Sequence, residues 1–336
     1  MQELTDAART LLQNECSSAQ VRAVEAGGSP RALWQHLEAS GFADALLDAD
    51  AGGAGLRLHA VFGLWALCGS HLLPVPLGET MLARTLLHRA GCTPPPGPIA
   101  LAQARRHADG SVHCAHVPLG RVAEHVLVQH AHGWLLLPAA QATRASAVFS
   151  LDAPMRWSAA HAAAHTPLPI ALPTPLQTLH ACLLAAYMAG ALLHVLQRTL
   201  QYANERQQFG RPIGKFQAVQ HQCAVMSEQV YAAHMAAHMG TYTAEEGSFW
   251  PDPLRAAIAK ARCSQAALAV CEIAHAVHGA IGFTQEYDLQ LYTRRLHAWR
   301  LAAGSESHWH AAAGRALLDG HNGSTLDLLR QVTDVC

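Results

Sequence analysis

The sequence predicts a mainly α-helical chain with a small β-domain set into it. Apolar residues recur at helical spacing before residue 94 and again after residue 167. The stretch between them breaks into short β-like runs separated by Gly and polar turns. The cluster Pro94-Pro-Pro-Gly-Pro98 marks where the first helical pattern stops. The chain therefore divides into an N-terminal helical domain (1–94), a small antiparallel β-domain (95–166) and a C-terminal four-helix bundle (167–336).

Each element has its own signal. Leu4, Ala8, Leu11 and Leu12 form one stripe, and Leu33, Trp34 and Leu37 form a short helix stopping at Gly41. A loop with three glycines runs from Asp48 to Gly55, and two helices follow near 57–70 and 78–90. The β-like runs are Ile99–Ala102, Ser111–Val117, His125–Gln129, Trp134–Leu137 and Ala147–Leu151. Ala159–His165 is of low complexity and reads as a linker. At Thr174 the helical period returns. Thr174 suits an N-cap, Pro175 the first helical position, and Gln177 completes a capping box. Leu176, Leu179, Leu183, Tyr187, Gly190, Leu193 and Leu200 then line one face. Further helices near 215–245, 254–277, 288–297 and 305–318, joined by short turns, argue for the bundle.

Composition limits the function classes. Only 14% of the 336 residues are charged, so much surface must be buried in a core or against partner subunits. A net charge of −1 gives no basic excess for nucleic acid or an anionic membrane. Nine cysteines without a C-x-x-C pair indicate a reducing, cytoplasmic compartment. No uninterrupted apolar run is long enough for a membrane span, counting charges and histidines as interruptions. His234 and His238 have i, i+4 ligand spacing but no third ligand, and His308 and His310 point apart, so no metal site is expected.

The segment from Tyr202 to His221 is the most informative. It joins two long helices and brings Arg206, Gln208 and Phe209 to one turn. Phe216-Gln-Ala-Val-Gln-His221, Ala259-Lys260-Ala261 and His278-Gly-Ala-Ile-Gly-Phe-Thr284 follow in order, and Pro74-Val-Pro-Leu-Gly-Glu79 precedes them. On these motifs the chain resembles the acyl-CoA dehydrogenase family, most strongly over 174–318. The resemblance implies an acyl-CoA dehydrogenase-like fold, bound FAD, and α,β-desaturation of an acyl-CoA thioester. It further implies that Arg206, Gln208 and Phe209 reach the FAD of a neighbouring subunit, and that Gly279 and Ala280 belong to a cofactor-facing turn. A guanidinium suits the flavin pyrophosphate on chemical grounds. Electron-transfer flavoprotein is the acceptor that the resemblance implies.

The chain also departs from the family pattern. One family position for the catalytic Glu is Ala303, before Gly304-Ser305; the other is His180. An alanine cannot accept a proton. His180 and Glu306 remain as candidate bases, since imidazole titrates near neutrality and Glu306 lies one turn beyond Ala303. Each also has a structural reading, as a bundle histidine and as a first-turn carboxylate. The glycine turn has Ala276 where the family has Gln, and Ala280 where it has a second glycine. The β-domain is reduced and lacks a Trp-Ile-Thr/Ser flavin-stacking motif; Trp134 and Trp157 lie in other contexts. It resembles shortened members that serve as the smaller subunit of two-chain enzymes acting on bulky acyl groups, such as steroid side-chain thioesters. Two expectations follow: a dehydrogenase acting as one subunit of an oligomer, either a homo-oligomer or a hetero-oligomer with a longer acyl-CoA dehydrogenase chain, or a non-catalytic structural or FAD-completing partner of such a chain.

Overall fold

A computed structural model describes residues 2–333 apart from 244, 246–247 and 321–323. Cys336, one of the nine thiols, lies outside the described residues. The N-terminal helices are α1 (Gln2–Glu15), α2 (Ser18–Glu25), α3 (Arg31–Ala39), α4 (Leu58–Ser70) and α5 (Leu77–Arg89). Seven strands follow: β1 (Ile99–Gln103), β2 (Arg105–Arg106), β3 (Val112–Val117), β4 (His125–His130), β5 (Gly133–Pro138), β6 (Thr143–Arg144) and β7 (Ala153–Trp157). Then come α6 (Ala159–Ala163), α7 (Leu176–Glu205), the two-residue strands β8 (Gln207–Gln208) and β9 (Arg211–Pro212), and α8 (Gln217–Met239). The chain continues through α9 (Pro253–His278), α10 (Leu289–Leu301), α11 (Glu306–Gly320) and α12 (Thr325–Thr333).

Two compact units emerge: residues 1–57 with 73–173, and residues 58–72 with 174–336. The second unit takes α4 out of the N-terminal helical segment. The reason is a close helix crossing. A Cβ on Gly190 of α7 would collide with the backbone oxygen of Ala66 on α4, and one on Gly69 would collide with that of Tyr187. Only glycine at both positions lets the two backbones approach so closely.

In the first unit, buried Arg84 ties α5 to the preceding segment. It donates to both Asp44 oxygens at 2.9 Å and pairs with Glu38. The strands form two sheets, ordered β1-β4-β5 and β2-β3-β7-β6. β1 pairs in parallel with β4, with Ile99 opposite His125, while the other pairings are antiparallel. A parallel pair needs a crossover connection, and the chain supplies one through β2 and β3. Val112, Val126, Leu135, Met155 and Trp157 share one buried cluster. Trp157 donates its indole N–H to Pro138 O at 2.9 Å, so it is a core residue.

Three local expectations need correction. The run 147–151 is not a strand: Val148 is fully exposed, and buried Asp152 bends the chain by accepting Leu119 N–H and bonding His116. The expected linker is instead helix α6, capped by Ser158 and favoured by its alanines. Thr174 does not cap α7. The N-cap is Pro175, Thr174 Oγ1 has no hydrogen-bond partner, and Gln177 bonds elsewhere.

The second unit is built on α7, α8 and α9. α7 and α9 run parallel: their starts meet at Ala181, Ala257 and Ala261, and their ends at Tyr202 and His278. α8 runs back between them, with Cys182 Sγ 3.2 Å from Gly240 O just beyond its end. Cys263 lies where all three meet, its Sγ 3.5 Å from both Ala185 O and Ala233 O. Burial pushes its thiol up to about 12, so it is an inert core residue. Leu176–Glu205 and Pro253–Phe283 are long and apolar enough to cross a membrane by length and composition. The contrary expectation let histidine break the run, but neutral histidines are tolerated in these helices. Most of the first apolar window (83%) is buried inside the protein, against 44% of the second.

Candidate functional site

Three turns of the second unit hold the residues singled out from the sequence. The first closes α7. Arg206 leaves the helix with an extended backbone, its N–H bonded to Tyr202 O at 2.8 Å and its carbonyl to Ile213 N at 2.8 Å. The β8–β9 hairpin then turns through Phe209 and Gly210, both at positive φ (52° and 77°). Two positive φ values fit the tight hairpin turn, but for Phe209 they cost roughly 1–2 kcal/mol. The result is an outward presentation. Arg206 and Gln208 are exposed, and the Phe209 ring is 92% exposed, touching Phe216 edge-on at 6.1 Å. No carboxylate pairs with Arg206 among the described residues.

The second turn follows α9. Gly279 takes φ 64° and is exposed, with open space where a Cβ would stand, and Ala280 is exposed beside it. The end of α7 holds this turn. Tyr202 stacks on His278 at 4.4 Å and donates its hydroxyl to His278 O at 3.3 Å. His278 donates Nδ1–H to Ala274 O at 2.7 Å, and burial lowers its pKa. Tyr202 sits one helical turn before Arg206, so the two candidate cofactor elements lie at the same end of the bundle.

The third turn, between α10 and α11, carries Ala303. Its φ of 54° is left-handed, which strains an alanine. The surroundings hold it there. Ala303 O accepts from Gln177 Nε2 at 3.2 Å and from Trp309 Nε1 at 2.9 Å. Fully buried Lys260 donates to Arg300 O (2.9 Å), Gly304 O (3.0 Å) and Ser264 Oγ (3.0 Å). Burial pulls the Lys260 ammonium down to about 8. Arg300 pairs with Glu306, and that bond lowers the Glu306 carboxyl below its usual range. His180 lies three positions after Gln177 on α7, so it shares a face with the residue whose amide bonds Ala303 O. The structure thus brings Ala303, His180 and Glu306 to one end of α7, and Arg206, Gln208, Phe209, Gly279 and Ala280 to the other.

Sequence reasoning missed Lys260, Gln177 and Trp309 as supports of the Ala303 turn. The lysine had a signal, since a charge amid an apolar helix face needs buried partners. His234 and His238 pack around Phe62, at 5.2 and 4.9 Å, rather than forming a ligand set. Among the described residues, Asp48, Asp50 and His88 alone group closely enough to share an ion, and exposed acidic groups do so without one.

With this geometry in view, comparison with known proteins is informative. A sequence profile described as "Acyl-CoA dehydrogenase, C-terminal domain" matches residues 178–317. The chain is 32% identical over 298 residues to acyl-CoA dehydrogenase IpdE2 of Mycolicibacterium smegmatis, covering 88% of this chain and 91% of that protein. It is 30% identical over 329 residues to acyl-CoA dehydrogenase FadE34 of Mycobacterium tuberculosis, covering 90% of this chain but 45% of that one. Among solved structures, a variant of the Tcur3481-Tcur3483 steroid ACAD superposes with a TM-score of 0.81 at 27% identity. That superposition covers 95% of this chain and 98% of its counterpart.

Proposed function

This chain belongs to the acyl-CoA dehydrogenase family, and from that premise we propose that it is one subunit of an oligomeric, FAD-dependent acyl-CoA dehydrogenase. One observation carries the subunit reading. Gln177, at the Ala303 turn, and Arg206 stand 29 positions apart on one helix, roughly 43 Å at the α-helical rise. No side chain spans that distance, which supports reading Arg206 and the Ala303 turn as parts of different sites. Arg206, Gln208 and Phe209 face outward, toward a site completed by a neighbouring subunit.

The residues present suit FAD at the Arg206 end. An exposed guanidinium with no carboxylate partner among the described residues matches a pyrophosphate, and open space at Gly279 admits a close approach of backbone amides. Bound FAD would supply the hydride-accepting chemistry at Cβ of the thioester. The protein's tasks are to orient the acyl group and to receive the Cα proton. His180, three positions after Gln177 on α7, is the candidate side chain of this chain to receive it. Glu306 is the poorer acceptor, because Arg300 holds it ionised at low pH. Electron-transfer flavoprotein fits as the acceptor of the reduced flavin. The absence of disulfides among the described cysteines supports a cytoplasmic setting.

The alanine at position 303 favours a second reading for the isolated chain: a non-catalytic partner that completes the FAD site of a longer chain. The match to less than half of FadE34 fits an arrangement in which this module works beside a second one. One preparation separates the readings. The chain is purified alone and with a longer family member, then assayed for flavin absorbance and for acyl-CoA oxidation with an artificial acceptor. Stoichiometric flavin and turnover in the isolated chain would rule out the partner-only reading. A colourless chain that gains flavin only in the complex would rule out autonomous catalysis. If His180→Ala leaves turnover unchanged, the imidazole is not the base.

A further inference from the structure

The first unit carries a cleft of its own, about 760 Å³ in volume, between the α2–α3 turn and the loops around residues 121 and 146. That size lies within the range of small-molecule sites. Its walls share an unusual electrostatic feature. Arg121 and Arg144 both line it, and each guanidinium has one backbone bond: Arg121 Nη2 to Ala145 O at 3.3 Å, and Arg144 Nη2 to Ala139 O at 3.0 Å. Neither pairs with a carboxylate among the described residues. Burial, and then the Arg121 charge, lower the pKa of Arg144, and both arginines border the same cleft. Arg31 adds a third.

The opposite wall is the start of the nine-residue helix α3. Pro30 at its N-cap offers no side-chain acceptor. Arg31 N–H uses Ser29 Oγ at 3.3 Å, and the positive end of the helix faces the cleft. Ser146 and Ser150 add hydroxyl donors. Glu25 and Glu124 also line the cleft, so its carboxylates are outnumbered but present. A cation would meet three guanidiniums here. A neutral ligand would leave the guanidiniums of Arg121 and Arg144, unpaired among the described residues, uncompensated. An oxyanion with several acceptors answers both guanidiniums and the helix end together.

We propose that this cleft binds the phosphoryl group of a small ligand, either a nucleotide or free phosphate. The assignment is independent of the flavin and of the thioester chemistry.

The test is calorimetric titration of the chain at low salt with inorganic phosphate, ADP and, as a phosphate-free control, adenosine. We expect saturable binding of phosphate or ADP that weakens with salt, and no binding of adenosine. ADP binding about tenfold tighter than phosphate identifies a nucleotide site, and equal affinity identifies a phosphate site. Arg121→Gln should weaken binding by about tenfold, the share of one charge-assisted contact. Arg144→Gln should do the same. If Arg144→Gln fails to fold, Arg121→Gln decides alone, since that side chain is exposed. The proposal fails if none of the phosphate-bearing probes saturates, or if Arg121→Gln binds them as tightly as the wild type.

Discussion

At the scale of single residues, the Ala303 turn shows how surrounding donors hold a left-handed backbone at a residue with no intrinsic preference for it. The left-handed backbone at Ala303 is set by donors from Gln177, Trp309 and Lys260, not by the residue itself. Lys260 is the centre of that support, and its burial makes a pH-dependent prediction. Its folded-state pKa is about 8, below the ordinary value of 10.5. Between those values the folded chain has released a proton that the unfolded chain still holds, so this group makes stability rise with pH. The neutral amine can still donate to Arg300 O and Gly304 O while accepting from Ser264. Lys260→Met removes the ammonium donor from both carbonyls, leaving Arg300 O with Ser264 Oγ at 3.4 Å, and should cost about 2 kcal/mol near neutrality, less than two full desolvation penalties because a buried charge is also removed. Denaturant titrations at pH 7, 8, 9 and 10 check the sign. The gap between wild type and variant should widen above pH 8. A gap that stays flat to pH 10 would mean that Lys260 remains charged in the folded state.

At the scale of elements, the α4–α7 crossing depends on two glycines that act as contact points. Gly190→Ala puts a methyl into the Ala66 backbone and must push the helices apart, at a cost of about 1–3 kcal/mol. Gly314→Ala on α11 is the control: nothing lies within 4 Å of its Cβ position, so the change should be neutral or stabilising by about 0.5–1 kcal/mol. Thermal melts of the two variants should move in opposite directions; equal shifts would show that helix propensity alone is being measured. The same crossing explains the limits of sequence reading. Helix α7 was legible because Leu176 through Leu200 repeats at the helical period. That α4 would leave its neighbours in sequence to join α7 was not, since Gly69 and Gly190 look like weak helix formers until the two backbones meet. Likewise Gln177 satisfies a capping pattern, yet a carbonyl 126 positions away takes its amide. The Arg206, Gly279 and Ala303 turns could be found by their spacing. Their sorting to opposite ends of one 30-residue helix follows from tertiary structure.

At the scale of the whole molecule, the chain leaves apolar surface that a single copy does not cover. Phe209 and Phe283 are 92% and 69% exposed, and Ile281 is exposed beside Phe283. All three belong to the two turns that Tyr202 draws together. Exposed apolar side chains on the same two turns as a guanidinium with no ion-pair partner among the described residues are what a subunit contact over an anionic cofactor would require. The Arg206 prediction tests this directly. Arg206→Gln should leave the melting of the isolated, flavin-free chain unchanged, because the side chain is exposed and has no ion-pair partner among the described residues. In the assembled oligomer it should weaken FAD retention by about tenfold or more, the loss expected for a charge-assisted phosphate contact, and the loss should shrink as salt rises. Mixed assemblies locate the contact. If Arg206 reaches a neighbour's site, flavin content should follow the fraction of wild-type turns supplied by the adjoining subunits, whichever chain holds the rest of that site. If each variant chain instead loses only its own flavin regardless of its neighbours, the hairpin serves its own subunit, and the reading of this chain as one that completes another's site fails.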